Sequence, residues 1–184
     1  MQVTLSMLWI PILVSAVFVF IAANLLWMAL PFWHRPDYKK LPDEKAVLAG
    51  LTSAASGQYM APNIDWSKAT AEEKEAFQNG PMGLLLVRNP NSFSMGKALT
   101  LYFLYGVVVS VLVAYVCGVT LAPGTHYLRV FRVAGTAAIL AYALRGVDYS
   151  VWYGKPWLVT FKELIDGLIY GLLTAGTFGW LWPH

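Results

Sequence analysis

Apolar residues in this chain run in long blocks, not in the short alternation of a half-buried strand or a surface helix. Four blocks stand out, at 5–33, 98–121, 128–153 and 157–182. A helix needs roughly 20 mostly apolar residues to cross a bilayer. The first block is apolar apart from Ser6, Ser15 and Asn24. It lacks a basic leader and its run is too long for a cleaved signal peptide, so it reads as a span. Ala122-Pro123-Gly124-Thr125 and Gly154-Lys155-Pro156 are tight-turn sequences between the later blocks. Short turns force antiparallel neighbours. The pattern predicts an all-α integral membrane protein. It has four transmembrane helices, the last three forming one unit over 98–182, with a polar insert at 34–97 between the first and second.

Two blocks carry a small residue at every fourth position. One row is Gly106, Ser110, Ala114 and Gly118; the other is Gly167, Gly171, Ala175 and Gly179. Lipid tails are as apolar as leucine, so membrane helices associate where small side chains let backbones approach. The rows are therefore assigned to helix packing. Spans two and four both run antiparallel to span three, which allows the two rows to meet each other within one chain. Asn24 is a candidate for a hydrogen bond across to another helix.

The insert is polar and nearly charge-balanced. Asp43 is placed to cap a short helix running to Leu51, and Thr70 with Glu73 makes a capping box for a helix ending at Asn79. Met82 to Val87 is too short to span. It suits a hairpin strand with Phe93 and Met95 on the return, or a segment lying in the membrane interface. A piece of this size buries little core.

Composition strengthens the membrane reading. The chain is 58% hydrophobic and 12% charged, whereas soluble domains have about 25% charged residues. Of the 13 Lys and Arg, only Arg129 and Arg132 lie on the side opposite the insert. The positive-inside bias then places the insert in the cytoplasm and both termini outside. The same bias explains the net charge of +3 without nucleic-acid binding. The single cysteine, Cys117, lies inside an apolar block and reads as a small buried hydrophobe.

The third block is unusual. Its uninterrupted apolar core, Val133 to Leu144, is about 18 Å long as a helix, short of the roughly 30 Å hydrocarbon layer. Arg132, Arg145 or both must snorkel or sit in the membrane. Asp148 follows Arg145 by three residues, and Glu163 and Asp166 lie one turn apart in the next block. Arg145 and Asp166 are about equally far from the connecting turn. These spacings predict an intramembrane polar cluster of Arg145, Asp148, Glu163 and Asp166, with Lys162 close by. Ionisable residues inside a bilayer are costly and point to function; the plainer alternative is an ion-paired latch. Tyr142, Tyr170 and Thr174 extend the polar trail only briefly.

No catalytic or metal constellation accompanies this cluster. His34, His126 and His184 fall in three different loops or termini, without ligand spacing. Phosphate-loop, nucleophile-elbow and zincin motifs are missing. No cofactor, metal or catalytic residue is therefore expected. The dense aromatic stretch from Asp148 to Trp157 reads as an interfacial belt.

The closing run from Ile165 to Pro183, the stretch Asp37-Tyr38-Lys39-Lys40-Leu41-Pro42 and the entry Ser94-Met95-Gly96-Lys97 resemble an uncharacterised family of small bacterial four-span inner-membrane proteins. The resemblance covers most of the chain and implies a bacterial inner-membrane location. It brings no activity, ligand or catalytic residue. Three functions are compatible with these features. The first is a non-enzymatic accessory or scaffold subunit, whose partners are the bilayer and other membrane proteins or a second copy. The second is a small proton-coupled transporter using Arg145 and Asp166. The third is a membrane enzyme acting on a lipid or quinone, with Glu163 or Asp166 as acid–base group.

Overall fold

The computed structural model describes residues 3–90 and 92–184. The chain divides into two compact units, 1–38 with 95–184, and 39–94.

The first unit is helical. Helix α1, Trp9–Asn24, follows a 3-10 turn at Leu5–Leu8 and runs on into a π-helical turn at Leu25–Ala29. The Leu30 amide closes that turn on the Leu25 carbonyl at 2.9 Å. Helix α2, Pro31–His34, then starts with proline in its first turn, where a missing N–H costs nothing. A 3-10 turn, Arg35–Asp37, completes the segment. The chain thus stays in the helical unit through Tyr38, past the point where the polar sequence begins.

In the second unit, α3, Glu44–Leu51, is capped by Asp43, whose carboxylate accepts from the Ala46 amide. Helix α4, Ala71–Asn79, has both halves of the Thr70–Glu73 capping box. Strand β2, Gly83–Val87, pairs antiparallel with β1, Gly57–Ala61. The hairpin expected with Phe93 and Met95 is therefore replaced by pairing to an upstream segment. Gly57 to Ala61 lies in a polar, turn-rich stretch without strand periodicity, so its pairing was hidden. None of the described residues of 39–94 is buried.

The first unit resumes with α5, Met95–Thr120, and α6, Tyr127–Ala143. After a 3-10 break at Leu144–Gly146 come α7, Val147–Tyr153, and α8, Trp157–Trp180. Gly124 and Gly154 take positive φ in the connecting turns (73° and 70°), a conformation that favours glycine. Three segments are long and apolar enough to cross a membrane: Leu5–Ala29, Met95–Thr120 and Tyr127–Tyr153. Helix α8 has the length, but Lys162, Glu163 and Asp166 lower its hydropathy and it is not among them.

Both small-residue rows are used inside this unit, on different partners. Along α8, a Cβ added at Gly167 would strike the Ala143 backbone, and one at Gly171 would strike Ile139. Ala175 stands against Gly135, and a Cβ at Gly179 would fall 2.7 Å from the Tyr127 ring. The α8 positions ascend as the α6 positions descend, as antiparallel packing requires. Along α5, Gly106 faces Ala16, Ser110 accepts a 2.9 Å hydrogen bond from Ser15, and a Cβ at Gly118 would fall 2.8 Å from the Val3 carbonyl. Ala114 in the same row is fully buried. The rows do not pack on each other, because each is taken by its own antiparallel neighbour.

Polar side chains at the ends tie the connections down. The Trp182 indole donates to the Ala122 carbonyl at 3.0 Å, and the Gly124 amide donates to the Pro183 carbonyl at 2.8 Å. Ser150 and Thr160, both buried, share a 2.5 Å hydrogen bond between α7 and α8. Asn24 does not reach another helix; its amide donates to the Phe20 carbonyl of its own helix at 2.7 Å. Cys117 is buried and free.

Candidate functional site

Asp166 is the centre of the polar chemistry. It is 2% exposed and lies next to the glycine that starts the α6 contact. Its Oδ1 accepts from the Trp33 indole at 2.8 Å, and its Oδ2 lies 2.6 Å from Nε2 of His34. His34 is likewise 2% exposed. Its other nitrogen, Nδ1, lies 3.0 Å from Asp37 Oδ2. The second Asp37 oxygen accepts from the Lys162 ammonium at 2.6 Å, and Lys162 also donates to the Trp33 carbonyl at 2.7 Å. The result is a closed chain: Asp166, His34, Asp37, Lys162.

Local folding explains how these residues meet. Lys162 and Asp166 are four apart on α8 and share a face. His34 and Asp37 are three apart across the α2 turn. Trp27, in the π-helical turn, stacks on the His34 ring at 3.8 Å and 16° between planes. Trp33 meets the same ring edge-on and receives the Lys162 ammonium over its face at 5.7 Å. π-helical turns recur at functional sites, where one extra residue re-aims the side chains that follow.

The hydrogen count in this chain has a consequence. A neutral imidazole carries one N–H. With a carboxylate oxygen against each nitrogen, a neutral ring would turn one lone pair towards an anionic oxygen. One more proton, on the ring or on a carboxyl, closes both bonds. With that proton on the ring the set holds two negative and two positive charges, and with it on a carboxyl one of each; either way the buried charges balance. Burial pushes the Asp37 carboxyl up, but hydrogen bonds from Lys162 and His34 outweigh it and hold the group below the usual carboxylate range. A cleft of about 280 Å³ lined by Trp27, Met28, Pro31, His34, Arg35 and Tyr38 reaches this chain.

The four residues expected to cluster stand in four different places. Asp166 belongs to the His34 chain. Glu163 pairs instead with Lys155, and the pair lies over Gly146, where an added Cβ would meet Glu163 Oε2 at 2.6 Å. Arg145 lines a separate cleft with Asn24 and Tyr102. Asp148 is exposed on α7, and among the described residues neither it nor Arg145 makes an ion pair. Equal depth for these residues requires a continuous third helix, and the 3-10 break at Leu144–Gly146 interrupts it.

His34, Asp37, Trp33 and Trp27 were not singled out from sequence. His34 was grouped with loop histidines, yet it is buried between two carboxylates. The available signal was a His and an Asp three residues apart just past an apolar span. Among the described residues, no group of three or more His, Cys, Asp or Glu is arranged to hold a metal ion. No protein-family model, curated protein or solved structure matches this chain.

Proposed function

We propose that this chain is a small proton-translocating carrier of the bacterial inner membrane, with the Asp166–His34–Asp37–Lys162 chain as its proton-holding centre. The observation that carries the reading is the buried His34 ring with a carboxylate at each nitrogen, 2.6 and 3.0 Å away. A proton bound there can pass between ring and carboxyl with little movement of heavy atoms. In this reading α8 is a fourth span, its three charges offset by partners on α2, on the 3-10 turn that follows it and on the α7–α8 turn. The Lys and Arg distribution supports a cytoplasmic insert and external termini.

The test uses full-length protein in vesicles that contain a pH-sensitive dye, under an imposed potassium diffusion potential. Wild-type protein should admit protons faster than protein-free vesicles, and Asp166→Asn should return to the protein-free rate. Wild-type vesicles no faster than empty ones, or an unaffected Asp166→Asn, would sink the reading.

One observation favours a second reading, an accessory subunit. The unit 39–94 has no buried residue among those described, and Leu86, Leu48 and Phe93 are 71%, 59% and 56% exposed. In this reading these side chains meet a partner surface. A photoreactive residue at Leu86 that crosslinks in membranes to one defined protein would support it; crosslinks to lipid alone would count against it.

A further inference from the structure

A second cleft in the helical unit shares Trp27 and Met28 with the His34 cleft but is lined by none of the four proton-chain residues. It measures about 290 Å³, and its other walls are Ala23, Asn24, Leu99, Tyr102 and Arg145. That is near the lower end of ligand-pocket sizes, enough for a headgroup and the first carbons of a tail. The walls come from α1 and its π-helical turn, from α5 and from the break after α6.

Three observations specify what it would take. Arg145 is exposed and lies within a segment apolar enough to span the membrane, and an unpaired cation there is expensive wherever it meets hydrocarbon. No carboxylate among the described residues pairs with it, although Lys155, Lys162 and His34 nearby in the same unit all have acidic partners. A row of rings runs inward from the cleft wall. Tyr102 neighbours Tyr105 at 6.1 Å, Tyr105 neighbours Tyr142 at 5.9 Å, and Tyr142 neighbours Tyr170 at 5.7 Å. The Tyr142 and Tyr170 hydroxyls are buried and lack a hydrogen-bond partner. The cleft itself therefore combines an unpaired guanidinium with Tyr102, Asn24 and apolar walls, and the tyrosine row continues behind it. A guanidinium forks onto carboxylate or phosphate oxygens.

We propose that the Arg145 cleft binds the headgroup of an anionic lipid, with the first methylenes of one chain lying along Ala23, Met28 and Leu99. Arg132 provides the internal control. It lies on α6, ahead of the break that holds Arg145, in a different groove with Val116, Val133, Thr136 and Leu140. An arginine that merely snorkels to bulk phosphates would behave alike at both positions.

The experiment measures binding to full-length protein in a neutral detergent, by native mass spectrometry and by the rise in Tm. The probes are phosphatidylglycerol, phosphatidylcholine with the same chains, and inorganic phosphate. Phosphatidylglycerol should bind as one retained molecule and raise Tm, and the other two should not. Arg145→Gln should weaken binding about tenfold or more, as loss of a charge-assisted bond implies, while Arg132→Gln should leave it intact. Leu99→Trp keeps the charge and fills the cleft, so it should also lose the lipid and covers the case of an Arg145→Gln protein that does not fold. Equal losses from Arg145→Gln and Arg132→Gln would overturn the proposal. So would binding that survives Leu99→Trp, or inorganic phosphate matching the lipid, which would mark a simple anion site.

Discussion

Along α8, the residues that meet α6 are Gly167, Gly171, Ala175 and Gly179, whereas those that meet the segment after α1 are Lys162 and Asp166. The first face works by having almost no side chains. Its partner backbone lies so close that even one methyl group has no room at Gly167. The second face works by matched charge, and its groups are full-sized, Asp166 buried and Lys162 half-buried. One helix is thus fixed by steric fit on one side and electrostatic balance on the other. The two respond to different perturbations, so they can be separated by experiment.

The largest effect should come from breaking the charge balance. Asp166→Ala leaves His34 and the Trp33 indole without their acceptor, and removing one member of a buried ionic set costs about 3–5 kcal/mol. A drop in Tm in one fixed detergent checks it, and a loss below about 1 kcal/mol would mean the chain is solvated after all. Gly167→Ala comes next. Its methyl group must displace the Ala143 backbone, so a loss of about 1–3 kcal/mol is expected. This loss should not depend on pH.

The Asp37 contribution should depend on pH. Its carboxyl titrates lower in the folded protein than in the unfolded chain, held down by Lys162 and His34. The stability it contributes is therefore complete above the ordinary carboxylate value of 3.8 and is lost as pH falls through the lowered folded-state value. The Tm difference between wild type and Asp37→Asn should be constant near neutral pH and shrink only below that range. A difference that shrinks between pH 8 and pH 6 would contradict it.

The smallest effect is expected on α5. Gly106 has its nearest neighbours, all on Ala16, at 3.9 Å, an ordinary contact distance. Gly106→Ala should change stability by no more than about 1 kcal/mol, with helix propensity favouring alanine. If it destabilised as much as Gly167→Ala, the two rows would share one mechanism and the contrast between them would fail.

The parts legible in the sequence were those written in local pattern. Long apolar blocks marked the helices, and Asp43, Thr70 and Glu73 marked caps. The small-residue rows were visible as packing devices, but their partners were not. Spacing along one helix says nothing about which neighbour it meets. The polar site was half legible. Asp166 stood out because it is ionisable inside an apolar run. His34 did not, because it follows the run and its partner is 132 residues away. The π-helical turn and the break at Leu144–Gly146 shift the helical phase, and a calculation at 3.6 residues per turn cannot foresee either.

That separation in sequence also matters during synthesis. His34 and Asp37 leave the ribosome long before their partners exist. At roughly 5–20 residues per second, Asp166 follows about 7–26 s later. For that interval α2 and the turn after it carry a His–Asp pair with no Asp166 and no Lys162 to complete it. A chain that stops before Lys162 never completes it. The site therefore doubles as a marker of completion, and messages truncated upstream of α8 should yield protein that membrane quality control removes.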